Sequence, residues 1–298
     1  MGIEAELAWR SPARGTLFES PLWCEQTDSL YWVDVVDASI HRHCFADGLS
    51  KRWDMPRPPG SIALVSATRL LVAMRAALVI LDTETGTHTP YGLHGPALEE
   101  DRFNDGVTDR QGNFWVGTMD RKLAAPLARL FRIGTGGRAE ATPVGARLSN
   151  GLAFSPDGRR LYLSKTFERE IRCFAVDPLT GALSDERLLV AYADDIAGRP
   201  DGSTVAADGT LWSARIGGGC IDRYDADGKL LGRLELPTSH PTHCMFGGAD
   251  MNMLFVATSR FGEEFAHDHK DDTAAGHMLG FRVGCAGLLP TPFAHAGR

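Results

Sequence analysis

Nowhere in the chain's 298 residues do two cysteines stand close together: Cys24, Cys44, Cys173, Cys220, Cys244 and Cys285 are scattered. That spacing excludes a CxxC redox or zinc motif and the dense framework of a small disulfide-stapled domain, so reduced thiols in a cytosolic setting are expected. Positive charge is also short, with 31 Lys and Arg against 38 Asp and Glu and a net charge of -7. A protein that tracks phosphates needs a basic stripe, and none is present, so a nucleic-acid partner is not expected. No apolar run is long enough to cross a bilayer. The opening "MGIEAELAWRSPARG" lacks the basic leader and apolar core of an export signal. The expectation is a cytoplasmic protein acting without a membrane or an obligate protein partner. Sustained helical periodicity is missing as well. Its nearest approach, "TMDRKLAAPLARLFR", is interrupted by Pro126.

What the chain does have is turns and repeats. It carries 33 Gly and 16 Pro, the composition of a turn-rich globular protein. Six stretches share one pattern, a polar or small start, an apolar strand, a turn and a second apolar strand. They begin at Glu19, Pro59, Asn104, Asn150, Asp201 and Pro241, 40 to 51 residues apart, the period of β-propeller blades. Between them lie further strand candidates such as "IHRHCFA", "ALVILDTETG" and "EIRCFAVDPLTG", each followed by Gly, Asp and Pro. Four strands per repeat make one blade. The fold expected is all-β, a six-bladed β-propeller occupying residues 1–298 as one domain, its ring closed by "AELAW" pairing with the C-terminal strands.

In a propeller the innermost strands begin near one mouth of a central channel, so the repeat starts become neighbours. Ungapped alignment of the Glu19 and Asn150 repeats sets Trp23 on Phe154 and Tyr31 on Tyr162, with Glu19 in the column of Asn150. Asn104 and Asp201 occupy similar places. Two carboxylates and two amides form a hard-oxygen set suited to Ca²⁺, Mg²⁺ or Mn²⁺. Asn-Gly and Asp-Gly are also common turn pairs, but "ESP" at Glu19 is no tight-turn sequence and still supplies a carboxylate. The segment "EDRFNDG" adds Arg102 and Asp105 beside Asn104, and turn chemistry does not account for the arginine.

These motifs resemble the sugar-lactonase branch that includes senescence marker protein 30 (regucalcin) and bacterial gluconolactonases. The likeness spans nearly the whole chain. It is most specific in "RFNDGVTDRQGNFWVGTM", with support from "LSNGLAFSPDGRRLYLS", "RPDGSTVAADGTLWSA" and "HPTHCMFGGADMNMLFVATS". The resemblance implies a six-bladed propeller with a metal site in the central channel, one divalent ion held by Glu19, Asn150 and Asp201. Ca²⁺ comes first, with Zn²⁺, Mn²⁺, Mg²⁺ or Fe²⁺ as the others. It implies that Arg102 and Asn104 bind substrate, a small sugar lactone, and Asp201 is the candidate general base for its hydrolysis. Lys122 stands where some animal members have glutamate, Lys165 where aspartate is frequent and Ala207 where many read aspartate, and these departures bear on specificity. A metal-dependent phosphotriesterase, a calcium-binding regulator and a propeller scaffold are the competing readings. His240 and His243 are expected to be ordinary strand-end residues, and His267 and His269 part of a solvated loop.

Overall fold

The computed structural model describes residues 2–75, 77–93, 102–120, 122–260 and 272–295. The loop carrying His267 and His269 lies outside them. Among the described residues, six four-stranded antiparallel sheets follow one another along the chain. Their innermost strands are Phe18–Cys24, Pro59–Ser66, Arg102–Thr108, Ser149–Phe154, Arg199–Val205 and Pro241–Gly247. Neighbouring innermost strands touch all the way round, so the sheets are the blades of a closed six-bladed propeller. The expected closure is present. Ala5–Arg10 is the outermost strand of the sixth blade, pairing with Met278–Val283 from Ala5↔Val283 to Arg10↔Leu279. Chain start and chain end thus share one sheet, and the ring has no unpaired joint.

The core is divided among the joints between blades. Six buried apolar clusters each draw side chains from two neighbours: Tyr31 and Val33 meet Ile62 and Val72, Trp115 and Leu130 meet Leu152 and Phe174, and Phe18 and Trp32 meet Phe255 and Met278. Strand alternation makes this possible, because each blade turns one face toward each neighbour. Trp23, Trp32, Trp115 and Trp212 are all fully buried, and burying one such large side chain contributes roughly 2 to 3 kcal/mol.

At the rim, hairpins are held by aspartates. Asp109 accepts from the amides of Gln111 and Asn113 (2.9 and 2.8 Å), Asp157 from Arg159 (3.0 Å) and Asp225 from Asp227 and Lys229 (both 2.9 Å). This is the local turn bonding for which Asp is favoured. All six cysteines are unpaired. No helix among the described residues is long and apolar enough to cross a membrane.

Candidate active site

Every innermost strand loses register with its neighbour just after it begins. The shifts fall between Glu19 and Leu22, Pro59 and Ser61, Phe103 and Gly106, Asn150 and Ala153, Pro200 and Ser203, and Pro241 and His243. A bulge adds a residue to one strand and re-aims its side chains, so six bulges at one level turn the repeat starts toward the axis. Ser20 and Gly151, aligned in sequence, share the left-handed backbone this needs, at φ 48 and 57. Glycine takes that conformation freely, whereas serine incurs about 1 kcal/mol. The Ser20 hydroxyl accepts the Ile62 amide at 3.1 Å, which ties the first blade to the second.

The four repeat-start residues meet three further groups there, Arg102, Asp105 and His243. Asn104 is the hub of the amide side: its Oδ1 accepts from Arg102 Nη2 at 3.2 Å, and its Nδ2 donates to the Ser149 carbonyl at 3.1 Å and to Asn150 Oδ1. Asn150 Nδ2 donates in turn to Thr166 Oγ1 at 3.0 Å. On the acid side Asp105 accepts at one oxygen from the Gly106 amide (2.8 Å) and His243 Nε2 (3.2 Å), and at the other from the Leu152 amide (2.8 Å). His243 Nδ1 faces the Cys244 carbonyl at 3.0 Å. An acceptor lies against each ring nitrogen, an arrangement that favours the doubly protonated ring. Gly202 leaves room for that ring, since a Cβ there would lie 2.2 Å from His243 Cδ2.

Burial pushes the Glu19 carboxyl well above the ordinary range, and the nearby Asp201 and Asp105 charges push it further. Asp201 is raised for the same reasons, burial first and then Asp105. Burial alone would lower His243, but Asp105 and Glu19 outweigh it and the net shift is upward. Burial lowers Arg102 against the pull of Glu19. Two polar atoms here have no hydrogen-bond partner among the described residues, Asp201 Oδ1 and Arg102 Nε. Buried polar atoms are normally satisfied, so an acceptor and a donor are both held ready for something else.

The structure thus gathers Glu19, Arg102, Asn104, Asn150 and Asp201 at one level of the channel. Two functional residues escape sequence reasoning. His243 is not an ordinary strand-end histidine, because it bonds a buried carboxyl group on the axis. Asp105 bridges three blades. The run "NDG" shows Asp105 directly, but nothing in sequence separates it from a turn aspartate. His240 does behave as a strand-end residue, its Nδ1 against Ser239 Oγ at 2.8 Å. Of the departures from the family pattern, Lys165 turns outward to Glu186 at 3.4 Å, Ala207 donates its amide to Ala286 in the C-terminal segment and Lys122 is exposed. Beneath the site a cavity of about 370 Å³ occupies the deeper channel, with His243 in its wall and Leu288 to Thr291 across its far end. None of the five gathered residues lines it, which leaves the chemistry above His243.

Two kinds of likeness to known proteins bear on this geometry. The family model described as the SMP-30/Gluconolactonase/LRE-like region matches residues 17–260. A 6-deoxy-6-sulfogluconolactonase of Pseudomonas putida is 32% identical over 93% of this chain and 95% of its own length, and a pentonolactonase of Haloferax volcanii is 34% identical over 91% and 92%. Among solved structures, a calcium-binding regucalcin of Agrobacterium tumefaciens superposes with a TM-score of 0.84 at 27% identity, covering 97% of this chain and 98% of that one.

Proposed function

The chain belongs to the SMP-30/gluconolactonase/LRE-like family, and we propose that it is a lactonase, a single propeller domain that hydrolyses a sugar lactone to its aldonic acid with the help of one divalent cation. The observation that carries this reading is the unmatched acceptor at the centre: Asp201 Oδ1 is buried without a partner while Glu19 and Asp105 repel it. The three carboxyl groups of Glu19, Asp105 and Asp201 outnumber the two basic side chains beside them, His243 and Arg102, and a divalent ion offsets the surplus. Among the described residues no three His, Cys, Asp or Glu side chains form a cation cage by themselves. The donor set we assign therefore mixes the carboxylates of Glu19 and Asp201 with the Asn150 amide oxygen, a hard-oxygen set that fits Ca²⁺. The name of the Agrobacterium relative, a calcium-binding protein, points the same way. When bound, such an ion polarises a carbonyl and lowers the pKa of water.

The chain's own groups supply the rest. Asp201 accepts the proton of the attacking water, and a carboxylate whose pKa burial has raised is a better base for it than a solvated one. Arg102 spends one Nη on Asn104 and keeps Nε unengaged. That leaves it a donor for a sugar hydroxyl or for the oxygen on which negative charge develops, where losing one donor costs about 3 kcal/mol. Asn104, anchored at the Ser149 carbonyl and Asn150, holds Arg102 in place and keeps the second lone pair of its Oδ1 for a sugar hydroxyl.

The test is acid release, followed with a pH indicator, from a panel of aldonolactones by cation-stripped protein to which single divalent ions are restored. Release that depends on the restored ion is expected. If no lactone is opened with any ion, the chain is a binding protein or regulator instead.

A further inference from the structure

Of the three cation donors, Asn150 alone can present the wrong end. The carboxyl groups of Glu19 and Asp201 carry oxygen on both sides, whereas an amide has one oxygen and one NH2, and a half-turn about its last side-chain bond exchanges them. The network around Asn150 settles which end faces where. The Ser149 carbonyl can only accept and the Arg102 guanidinium can only donate. Asn104 touches both, so it must turn Nδ2 to Ser149, at 3.1 Å, and Oδ1 to Arg102 Nη2, at 3.2 Å. The same Nδ2 also reaches Asn150. The atom that meets it there has to be the acceptor, Oδ1, which leaves the Nδ2 of Asn150 on the other side.

On that side stands Thr166, whose Oγ1 accepts from Asn150 Nδ2 at 3.0 Å and is its one partner among the described residues. Asn150 is 4% exposed and Thr166 5%, so bulk water does not stand in for the hydroxyl. Thr166 is itself held by its backbone. Its amide faces the Leu148 carbonyl at 3.4 Å, and its carbonyl accepts the Arg169 amide at 3.2 Å, closing a turn in which Arg169 takes a φ of 60. Lys165, just before it, points outward to Glu186 at 3.4 Å. Successive side chains of an extended chain alternate in direction, which delivers Thr166 to Asn150.

Resting on the lactonase reading and its donor set, we propose that Thr166 is a positioning residue of the cation site: its hydroxyl holds the Nδ2 end of Asn150, so that Oδ1 is kept for a divalent cation. Asn104 decides which way the amide faces, and Thr166 keeps it there. The hydroxyl acts through Asn150 and reaches the reaction only by way of ion affinity, where the loss of such an outer partner costs about 10- to 100-fold.

The test removes the acceptor and then restores it. Thr166→Val keeps the shape without the hydroxyl, and Thr166→Ser keeps the hydroxyl without the methyl. Cation-stripped parent and variants, each checked by thermal melting, are titrated calorimetrically with CaCl₂, MgCl₂ and MnCl₂, and compared on the ion that the parent binds most tightly. Thr166→Val is expected to bind that ion about 10- to 100-fold more weakly, and Thr166→Ser within about threefold of the parent. In lactone hydrolysis the ion concentration for half-maximal rate should rise by the same factor in Thr166→Val, while kcat and the lactone KM at saturating ion stay within about twofold. Should Thr166→Val fail to fold, Thr166→Ala removes the same hydroxyl and takes its place. Unchanged ion affinity in the variant without the hydroxyl, or a loss that Thr166→Ser does not restore, overturns the positioning role and leaves the lactonase reading intact. So does a kcat that stays low at saturating ion. If the parent binds none of the three ions, the donor set falls and this role falls with it. If the ion binds but no lactone is opened, the lactonase reading fails, and the calorimetric comparison alone decides for or against Thr166.

Discussion

Asp201-Gly202 and Asp208-Gly209 spell the same dipeptide seven residues apart in one blade, and the fold uses them in opposite ways. Asp208 sits at the rim hairpin. It accepts from the Thr210 amide at 3.0 Å and hydroxyl at 2.6 Å, and pairs with Arg223 at 2.6 Å. Although partial burial works against it, those bonds hold its carboxyl below the ordinary range. Asp201 faces the axis with one oxygen unpartnered, and its carboxyl is raised. Gly209 supplies a φ of 86 with open space around it, whereas Gly202 supplies vacancy, filled by the His243 ring. One aspartate is satisfied by its own turn and stabilises it. The other is kept unsatisfied by its surroundings, which is the state a ligand or a proton needs.

The comparison breaks most sharply under amide substitution. Asp201→Asn should lower lactone kcat/KM by about a thousandfold or more, the scale of losing a general base, with the fold retained. Asp208→Asn should leave turnover within about twofold and lower stability by about 1 kcal/mol, a half-exposed pair being screened by solvent. Steady-state rates and denaturant melts of the two variants read both effects. Full turnover in Asp201→Asn removes that residue from the mechanism.

Alanine at the two glycines gives a smaller effect of the same kind. In Gly202→Ala the new Cβ meets His243 Cδ2 and Cγ, both at 2.2 Å, so the His243 ring must leave its 3.2 Å bond with Asp105. Overpacking of this sort costs about 1 to 3 kcal/mol, and the freed Asp105 charge should slow turnover about tenfold. Gly209→Ala meets no atom and is penalised only by its positive φ, about 1 kcal/mol, with turnover unchanged. Equal activity in the two variants would show that His243 does not support the site.

The same pair of dipeptides shows how far sequence could be read. Blade number, ring closure and the repeat-start column follow from periodicity, because a closed ring makes one blade's neighbours those of every other. The level at which Glu19, Asn104, Asn150 and Asp201 converge was legible for that reason. The roles of Asp105 and His243 were not. Each depends on a bulge that displaces one strand against the next, and a bulge leaves no composition signal when the bulged residues are also good turn formers.

The finest contrast between the two aspartates is in the sign of their pH dependence, measured on cation-free protein. Asp201 and Glu19 carry folded pKa values above those of the unfolded chain. Below about pH 4 both states are protonated and no stability is lost. As pH rises, the unfolded chain ionises first and stability falls until the folded groups ionise too. Asp208, lowered in the fold, runs the other way: its contribution is present above about pH 4 and fades as acid protonates it. Melting temperatures of the parent and Asp201→Asn between about pH 4 and pH 8 should therefore diverge upward with pH, the variant becoming the more heat-stable by several degrees. The parent should recover that difference on addition of Ca²⁺, while Asp201→Asn should gain less. A difference curve that stays flat, with the ion stabilising both proteins alike, would mean that the axis carries no carboxylate repulsion for a cation to relieve.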